Sequence, residues 1–374
     1  MQLAQASYIV IAGTKDGSIL IWNLKESNSP QHIFAELDAQ DILYKLPCYS
    51  TDGIYGLDQT HQGSIIQIFN FSDDNGENMN GKNDFYEKRT YQIASLDIHG
   101  YVQFWTIHEI SELESQKFID TDYGLAIGSE LRLIRGGGFN LDTTSDEAKC
   151  IGVRASQLHP NSADKFIVAT DTGMILNESK FRTTCFPKEF RLNPPSFLRP
   201  ADSTVSIDFN HHVPIIFLAA YESGIVALFH KCQETPLVTW KLSCAARVIA
   251  WSAHRPALFY ALDEKSVLHI WDLLEHEATP TYIIALGDSS ARKGEKRRAV
   301  ALAQSPAFTV SSSLAGTLLG STSSLASSAG KNASLTVSYA NGDIEVYFLN
   351  EELVEVGVDE TQQFNYWVDL QFSK

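Results

Sequence analysis

The sequence of 374 residues has few cysteines, no long apolar run and little positive charge. Its five cysteines include no CxxC pair, so neither a zinc knuckle nor a thioredoxin-type redox site is expected. This cysteine usage is typical of the reducing cytosol. No apolar stretch reaches the roughly 18 residues of a transmembrane helix. The residues Met1–Ser7 lack the basic and apolar regions of a signal peptide, and none is expected.

Acidic residues outnumber basic ones by 45 to 29, which gives a net charge of −16. Nucleic acids and anionic membranes bind clustered positive charge, so neither is expected as a partner. The GxSxG, HExxH and P-loop motifs of common enzyme classes are missing too. The pair His211-His212 has no third ligand nearby in the sequence, which favours a turn over a metal site. The sequence therefore predicts a non-catalytic protein without a cofactor or a metal.

A repeated pattern of a short apolar strand, a polar turn and an alternating strand occurs six times in the chain. Glycine tolerates the positive φ of a tight hairpin turn, and an aromatic residue after the hairpin can fill the gap between neighbouring sheets. The turns centre on Gly17, Gly100, Gly173, Gly224, Ser266 and Gly342. Five residues further on stand Trp22, Trp105, Glu178, Phe229, Trp271 and Tyr347. Each copy is therefore predicted to be a β-hairpin.

An additional strand precedes several of the hairpins, most clearly at Val248–Ser252 and Val205–Phe209. Weaker versions occur at Ser156–Pro160 and Pro47–Gly53. Together with the hairpin, such a strand makes most of a four-stranded propeller blade. Two turn-to-turn spacings, 51 and 42 residues, are also near the roughly 40–45 of a WD40 repeat. The predicted fold class is an all-β, WD40-type β-propeller of four-stranded antiparallel blades, with six blade signatures and an incomplete N-terminal part.

The predicted propeller covers residues 1–350 and contains loop insertions at about 72–89, 110–150 and 288–331. The second insertion includes Gly136–Gly138, for which a loop is favoured over a phosphate cradle. Two interpretations compete for the long stretch between the turns at Gly17 and Gly100. In the preferred one, Leu43–Asp58 supplies the inner strands of the second blade. In the other, Gly53–Phe69 is a degenerate blade of its own. The tail, 351–374, is expected to be a closing strand or a helix lying on the propeller.

Four stretches carry a resemblance to a known family. They are Ala12–Leu24; Ser50–Ile54 together with Ile93–Asp97; Phe166–Ile175; and Trp251–Leu274, which contains the WD dipeptide Trp271-Asp272. In this order they resemble WD40-repeat proteins and, more narrowly, the dynein intermediate chains. The likeness is greatest to the intermediate chain 1 type of cytoplasmic dynein 2, the motor of retrograde intraflagellar transport.

The resemblance implies a scaffold subunit whose propeller binds the tail of the dynein heavy chain, while ATP chemistry resides in that heavy chain. The other intermediate chain of dynein 2 would be a second partner. Dynein light chains would bind only if an N-terminal extension exists. The implied locations are the cytoplasm, the cytoskeleton and the cilium. A different WD40 adaptor and a propeller hydrolase are the alternatives, and the hydrolase would need acids or histidines that converge on the central channel.

The residues singled out by the pattern are expected to build blades and not to carry chemistry. They are Asp16, Gly17, Trp22, Gly100, Trp105, Gly173, Gly224, Phe229, Trp271, Asp272, Gly342 and Tyr347. No residue is expected to act in catalysis or to hold a cofactor or a metal. Trp240 and Trp367 lie outside the repeated pattern, so packing on another segment is expected for them.

Overall fold

The structure is a computed structural model, and it describes residues 2–3, 9–25, 32–37, 40–52, 61–71, 90–118, 121–141, 151–162, 164–192, 202–286, 297–305 and 333–373. The predicted insertion at 72–89 lies outside the described residues, as do 288–296 and 306–331 of the third insertion. By contacts, the chain divides into two compact units. The first comprises Met1–Leu158, Ser162–Val168 and Glu178–Thr183, and the second comprises His159–Asn161, Ala169–Asn177 and Thr184–Lys374.

The first unit contains two antiparallel sheets of four strands, a two-stranded sheet and one short helix. The first sheet has the order β1 (Gln2–Leu3), β2 (Ile9–Gly13), β3 (Ile19–Asn23) and β6 (Tyr49–Ser50). Between its last two strands, β4 (His32–Leu37) pairs with β5 (Gln40–Lys45). The second sheet consists of β7 (Ile65–Asn70), β8 (Thr90–Asp97), β9 (Tyr101–Glu109) and β10 (Leu131–Asn140). Helix α1 spans Glu112–Phe118.

The third sheet has strands in both units, and the second unit contains the remaining sheets. The third sheet has the order β11 (Val153–Leu158), β12 (Lys165–Thr170), β13 (Met174–Ser179) and β14 (Glu189–Arg191). The fourth has β15 (Thr204–Phe209), β16 (Ile216–Tyr221), β17 (Ile225–His230) and β18 (Val238–Lys241). The fifth has β19 (Ala246–Trp251), β20 (Leu258–Asp263), β21 (Val267–Asp272) and β22 (Tyr282–Ala285).

The sixth sheet has three described strands, β23 (Ala299–Gln304), β24 (Ser334–Tyr339) and β25 (Ile344–Phe348). Two helices follow it, α2 (Glu351–Val354) and α3 (Glu360–Phe372). Of the two alternatives for the tail, the structure has the helix. The six sheets are the blades of a WD40-type β-propeller, which confirms the predicted all-β fold class.

A tight hairpin turn joins the second and third strands of every blade. The turn residue has a φ of +79° to +91° at the five glycines and +63° at Ser266. Its N–H donates to the carbonyl oxygen three residues earlier, over 2.8 to 3.4 Å. Positive φ is strained for most side chains, which explains why glycine occupies five of the six turns.

The inner strand of the second blade differs from the prediction. It was expected within Leu43–Asp58, but β7 (Ile65–Asn70) fills that place and pairs with β8. The segment Tyr49–Ser50 instead pairs with β3 and completes the first blade. Both stretches are short and apolar, and strand pairing over such distances depends on contacts that local periodicity does not encode.

The loop prediction for Gly136–Gly138 is wrong. These glycines lie in β10, the outer strand of the second blade, where the register shifts between Arg135 and Gly138. Such a bulge leaves backbone groups unpaired in the ladder. The side-chain amide of Gln103 donates to the carbonyl oxygens of Gly136 and Gly137, both over 2.9 Å, and thereby supplies the missing partners.

The core of the second unit is built from hairpins with almost no exposed residue. All six residues of β16 and of β20 are buried. Because Phe217 lies directly opposite Phe229, their rings stack at 5.2 Å. In the same way, the ring of Phe259 stacks on Trp271 at 5.0 Å. Such aromatic pairs stabilise the fold by about 0.5–1.5 kcal/mol beyond the contribution of their buried area. The signature aromatics Phe229 and Trp271 therefore stabilise their own hairpins.

The turn glycine of one blade lies against the chain that enters the next blade. A Cβ built on Gly224 would stand 2.2 Å from the carbonyl oxygen of Cys244, and one on Gly173 would stand 2.4 Å from that of Asp202. Ser266 holds the same place in the fifth blade, where its hydroxyl accepts the N–H of Ala299 over 2.9 Å. The hairpin turn therefore also sets the spacing between neighbouring blades.

We expect Gly224→Ala to destabilise the protein more than Gly342→Ala. Both turns have a φ near +90°, so both variants carry a similar conformational cost of about 1–2 kcal/mol. Of the two, Gly224 lacks room for a Cβ, whereas no atom of the described residues lies within 4 Å of a Cβ on Gly342. Thermal unfolding followed by circular dichroism measures the difference. Equal losses in the two variants would contradict this role of the turn.

Candidate functional site

The C-terminal helix is held on the fifth blade by an ion-pair network centred on Arg255. One guanidinium nitrogen of Arg255 lies 2.7 Å from a carboxylate oxygen of Asp272, and its Nε lies 3.1 Å from Glu360. A third bond, over 2.9 Å, goes to the carbonyl oxygen of Glu352. Burial acts to lower the pKa of Arg255, but its bonds to Glu360 and Asp272 outweigh this effect and raise it. The arginine therefore stays charged between two buried carboxylates.

Apolar and aromatic side chains complete the attachment of α3. Phe364 and Val368 are buried in the core that the fourth and fifth blades share. Glu277 connects this helix to the fourth blade: its carbonyl oxygen accepts from Trp240 Nε1 over 2.6 Å, and its carboxylate accepts from Trp367 Nε1 over 3.3 Å. Both tryptophans outside the repeated pattern thus contact another segment, as expected.

A groove of about 590 Å³ lies between the fifth blade and the tail. Its apolar lining includes Leu258 and Ile270, which are almost fully buried. Five carboxylates line it as well, those of Asp272, Glu275, Glu352, Glu355 and Glu360. Its one cationic residue is Arg255, which already binds two of these carboxylates. The groove is therefore negative and fits a cationic side chain with an apolar neighbour.

A buried hydrogen-bond network ties the second blade together. His61 Nδ1 lies 3.1 Å from a carboxylate oxygen of Asp97, and His61 Nε2 lies 2.5 Å from the hydroxyl of Ser95. Trp105 Nε1 donates to the same hydroxyl over 2.7 Å. Burial acts to raise the pKa of Asp97, but the bond from His61 and two backbone N–H donors outweigh it and lower the pKa. The network connects the segment that enters the blade, which contains His61, to strands β8 and β9, and its hydrogen bonds engage all four side chains within the fold.

The fifth blade lacks most of this network. By strand register, Ala261 stands where the second blade has Ser95, because Ser95 opposes Gln103 and Ala261 opposes His269. Within the described part of the chain, the indole N–H of Trp271 is consequently buried without a hydrogen-bond partner. Asp263 still accepts the backbone N–H groups of its turn, as Asp97 does. The blade compensates through the stacking of Trp271 on Phe259 and through the Arg255 network.

The predicted signature residues are spread over the blades and do not converge on one site. Gly17, Gly100, Gly173, Gly224 and Gly342 occupy hairpin turns. Trp105, Phe229 and Trp271 are buried, while Trp22 and Tyr347 are half-buried and donate hydrogen bonds to Lys45 and Glu345. Asp16 is exposed and bonds Thr14 and Ser18 within its turn. Asp272, next to Trp271, is the signature residue that lines the groove.

Several residues of the groove and the networks escaped sequence reasoning. Arg255 and Glu360 are separated by 105 positions, so no local pattern relates them. His61 and Ser95 lie 34 positions apart. The sequence does contain a signal for the second pair. One blade combines a histidine shortly before its inner strand, a serine two residues before the turn aspartate, and a tryptophan after the turn.

Among the described residues, no helix is long and apolar enough to cross a membrane. In the same part of the chain, no group of three or more His, Cys, Asp or Glu side chains is placed to hold a metal ion.

We expect Ser95→Ala to destabilise the protein by roughly 1–3 kcal/mol, because it leaves the buried indole N–H of Trp105 without its acceptor and His61 Nε2 without its hydroxyl partner. The reverse change, Ala261→Ser, gives Trp271 a possible acceptor and should not destabilise the fold. Denaturant unfolding of the two variants measures their free energies of unfolding. A neutral Ser95→Ala variant would show that the network contributes nothing to stability.

We expect Arg255→Ala to lower stability by about 3–5 kcal/mol and to release the tail, because it leaves two buried carboxylates facing each other. Limited proteolysis should then cut near the start of α3. Arg298→Ala is the matched control: Arg298 and its partner Glu264 are both more than half exposed, and such a pair contributes little. Equal effects of the two substitutions would contradict the anchoring role.

The chain resembles known proteins in sequence, although no family model matches it. It is 26 % identical over 298 residues to "Cytoplasmic dynein 2 intermediate chain 1" of Mus musculus, and 27 % identical over 296 residues to the protein of the same name of Homo sapiens. Each match covers 73 % of this chain but only 28 % and 26 % of the relatives, respectively, so the chain spans about a quarter of their length.

A solved structure supports the fold independently of these sequences. The crystal structure of Chaetomium thermophilum Raptor is similar with a TM-score of 0.54, over 92 % of this chain and 23 % of that chain, at 10 % identity. At such low identity the similarity concerns the fold alone. The sequence matches, in contrast, agree with the resemblance carried by the four stretches described above. The chain is thus similar in sequence to cytoplasmic dynein 2 intermediate chain 1, and the predicted resemblance to the dynein intermediate chains is confirmed.

Proposed function

We propose that this chain is the propeller of a non-catalytic intermediate chain of cytoplasmic dynein 2. In this role it binds the tail of the dynein heavy chain and supports retrograde intraflagellar transport and cilium assembly. The observation that carries the proposal is the match to two curated dynein-2 intermediate chains over 73 % of the chain. The proposal takes 1–350 as the propeller and 351–374 as a tail that packs on it.

The use of polar groups within the fold supports a scaffold rather than an enzyme. An acid–base catalyst needs titratable groups that reach a substrate. The buried pair His61 and Asp97 is instead occupied by Ser95 and by backbone N–H groups. Asp272 and Glu360 are bound to Arg255. These buried groups stabilise blades and the tail, which favours a role in surface recognition over the propeller-hydrolase alternative.

The groove between the fifth blade and the tail is the surface that we assign to the heavy chain. Its carboxylates and apolar lining suit a helix or loop that presents Lys or Arg beside an apolar residue. Glu275 and Glu355 lie on its walls and are exposed, so they can meet such a cation without disturbing Arg255. The contact would place the tail helix next to the heavy chain.

Further partners follow from the same role. The other intermediate chain of dynein 2 would be a second partner, and light chains would bind only if an N-terminal extension exists. Localisation in the cytoplasm and at the axoneme and base of the cilium follows from the same assignment. A different WD40 adaptor function is the remaining alternative, and the partners recovered in a pull-down distinguish it.

The test is affinity purification of the tagged chain from ciliated cells. We expect the dynein-2 heavy chain and the second dynein-2 intermediate chain among the captured proteins, and no enrichment of the dynein-1 heavy chain. Capture of a different complex without any dynein heavy chain would contradict the proposed function and favour the adaptor alternative.

We expect Glu355→Lys to weaken heavy-chain capture several-fold, because it places a cation where the groove attracts one. Glu222→Lys is the matched control, because Glu222 is also exposed and its substitution changes the net charge by the same amount. Glu222 lies next to the turn of the fourth blade and does not line the groove. Quantitative immunoblotting of the purified complexes measures the ratio. If both variants lose the same amount, net charge and not the groove determines binding.

A further inference from the structure

The connection between the third and fourth strands of the second blade is longer than its equivalents in three other blades. It covers 110–130, whereas the same connections in the third, fourth and fifth blades, 180–188, 231–237 and 273–281, are less than half as long. It contains helix α1 and, after it, two consecutive turns. The proposed function makes no use of this segment, which we call the β9–β10 connection.

Backbone hydrogen bonds fix the β9–β10 connection to the chain at the outer strand of the first blade. The N–H of Ser50 donates to the carbonyl oxygen of Gly124 over 2.9 Å, and the N–H of Ala126 donates to that of Cys48 over 3.1 Å. A Cβ on Gly124 would stand 2.6 Å from the carbonyl oxygen of Ser50, so the two segments are in close contact. The backbone of the connection is therefore held in place by another blade.

Side chains make a second, buried attachment of the same segment. The carboxylate of Asp122, a residue that is 9 % exposed, accepts from the hydroxyl of Tyr49 over 2.8 Å and from Nε of Arg132 over 2.7 Å. Burial and the bond to Asp122 raise the pKa of Tyr49, so its hydroxyl keeps the proton that it donates. The guanidinium carbon of Arg132 also lies 4.1 Å from the centre of the Phe118 ring, at the end of α1. The buried groups that hold the connection are thus paired with one another.

This fixed segment exposes three large apolar side chains. Leu113, Tyr123 and Ile127 are 73 %, 76 % and 70 % exposed. Among the described residues of the first unit, they are the three most exposed large apolar side chains. Apolar residues scattered singly over a surface need no explanation, whereas a group of them in one short segment is typical of an interaction site.

Tyr123 and Ile127 occupy equivalent places in the two turns. Each is the second residue of a four-residue turn, Asp122–Leu125 or Ala126–Ser129, which is closed by a backbone hydrogen bond of 3.0 or 3.1 Å. Glycine follows both of them, and Gly128 has a φ of +78°, which is typical of a type II turn. Turns are usually built from Gly, Pro, Asn, Asp and Ser, so apolar side chains at these tips are unusual. Because the turns are fixed, the two side chains stay exposed in the chain alone.

The spacing of the two tips suits a helix. Four residues of chain span at most about 14 Å, which limits the distance between Tyr123 and Ile127. Apolar residues seven positions apart on a helix lie on one face, about 10 Å from each other along the axis. Two successive turns of one amphipathic helix can therefore contact both tips.

The charge of the β9–β10 connection restricts the chemistry of that helix. Residues 110–130 contain five Asp or Glu and one Lys. Opposite charges across an interface favour the correct partner, and like charges disfavour a wrong one. The helix is therefore expected to carry Lys or Arg beside its apolar residues. A second copy of this chain, with its net charge of −16, is a poor occupant by the same argument.

We propose that the β9–β10 connection is a docking surface for an amphipathic, basic helix of a partner protein. The apolar side of the helix covers Tyr123 and Ile127, and its Lys or Arg residues face the acids of the connection. Asp122 and its partners fix the tips before binding, so little conformational entropy is lost there. This surface belongs to the first unit, whereas the groove assigned to the heavy chain is lined by residues of the second. Neither assignment depends on the other.

The test uses the full chain and a labelled helical peptide, Leu-Lys-Lys-Leu-Leu-Lys-Leu-Leu-Lys-Lys-Leu-Leu-Lys-Leu, followed by fluorescence anisotropy. The double variant Tyr123→Ser with Ile127→Ser removes the apolar tips. Its matched control, Ile344→Ser with Phe348→Ser, removes two side chains that are 66 % and 75 % exposed in the sixth blade. We expect the first double variant to bind the peptide about tenfold more weakly or worse, and the control to bind it like the unmodified chain. Circular dichroism and the thermal midpoint check that both variants are folded.

Two further measurements separate this surface from simple charge attraction and from the groove. A peptide with serine in place of every leucine keeps the charge but has no apolar side, and we expect it to bind about tenfold more weakly or worse. Glu355→Lys, which alters the groove, should leave binding of the leucine peptide unchanged. Equal binding of the serine peptide, or a larger loss in Glu355→Lys than in the double variant of the tips, would overturn the proposal.

Photo-crosslinking locates the bound helix. A leucine peptide that carries a benzophenone group in place of one leucine is irradiated with the full chain, and the joined residues are identified by mass spectrometry. We expect the crosslinks to fall within 110–130. Crosslinks confined to the tail, 351–374, would place the peptide at the groove and would overturn this proposal, while the function proposed for the groove would stand.

Discussion

The close approach between the hairpin turn of one blade and the chain entering the next is the contact on which the blade arrangement depends. At Gly17, Gly173 and Gly224 a Cβ would meet the carbonyl oxygen of that entering chain at 2.5 Å or less. The turn needs a positive φ and the neighbour needs the space, so two independent requirements select the same residue. In the fifth blade Ser266 occupies this turn with a φ of +63°. Its hydroxyl contacts the entering chain through hydrogen bonds, accepting from the N–H of Ala299 and donating to the carbonyl oxygen of Arg297.

Within a blade, stability comes from different interactions in different places. The second blade uses the network of His61, Ser95, Asp97 and Trp105, whereas the fifth uses ring stacking and the ion pairs of Arg255. A buried polar network is stabilising only when its members are satisfied. The fifth blade has Ala261 in place of this serine, and among the described residues its buried indole N–H has no hydrogen-bond partner; the tail helix packs directly beside it. The two residues of the WD dipeptide therefore have separate structural roles: Trp271 packs in the core, and Asp272 binds Arg255, which holds the tail helix.

The proposed functions follow from what the blades leave unsatisfied. Buried titratable groups are engaged inside the fold, and the negative groove remains on the surface of the second unit. Such a groove can recognise a partner through side chains of complementary charge. Much of the excess of acidic residues, which argued against nucleic acid and membranes, lies in the segment 333–373 that borders the groove.

The sequence by itself determined the fold class and the six hairpins, because both rest on local rules: alternation along a strand, and glycine at positive φ in a tight turn. It also carried the resemblance to dynein intermediate chains in four short stretches. Only the tertiary structure decided that Ile65–Asn70 is the inner strand of the second blade, that Gly136–Gly138 form a bulge, and that the tail is a helix held by Arg255. The groove belongs to this second group as well. It is lined by residues far apart in the sequence, and local periodicity does not record that they come together.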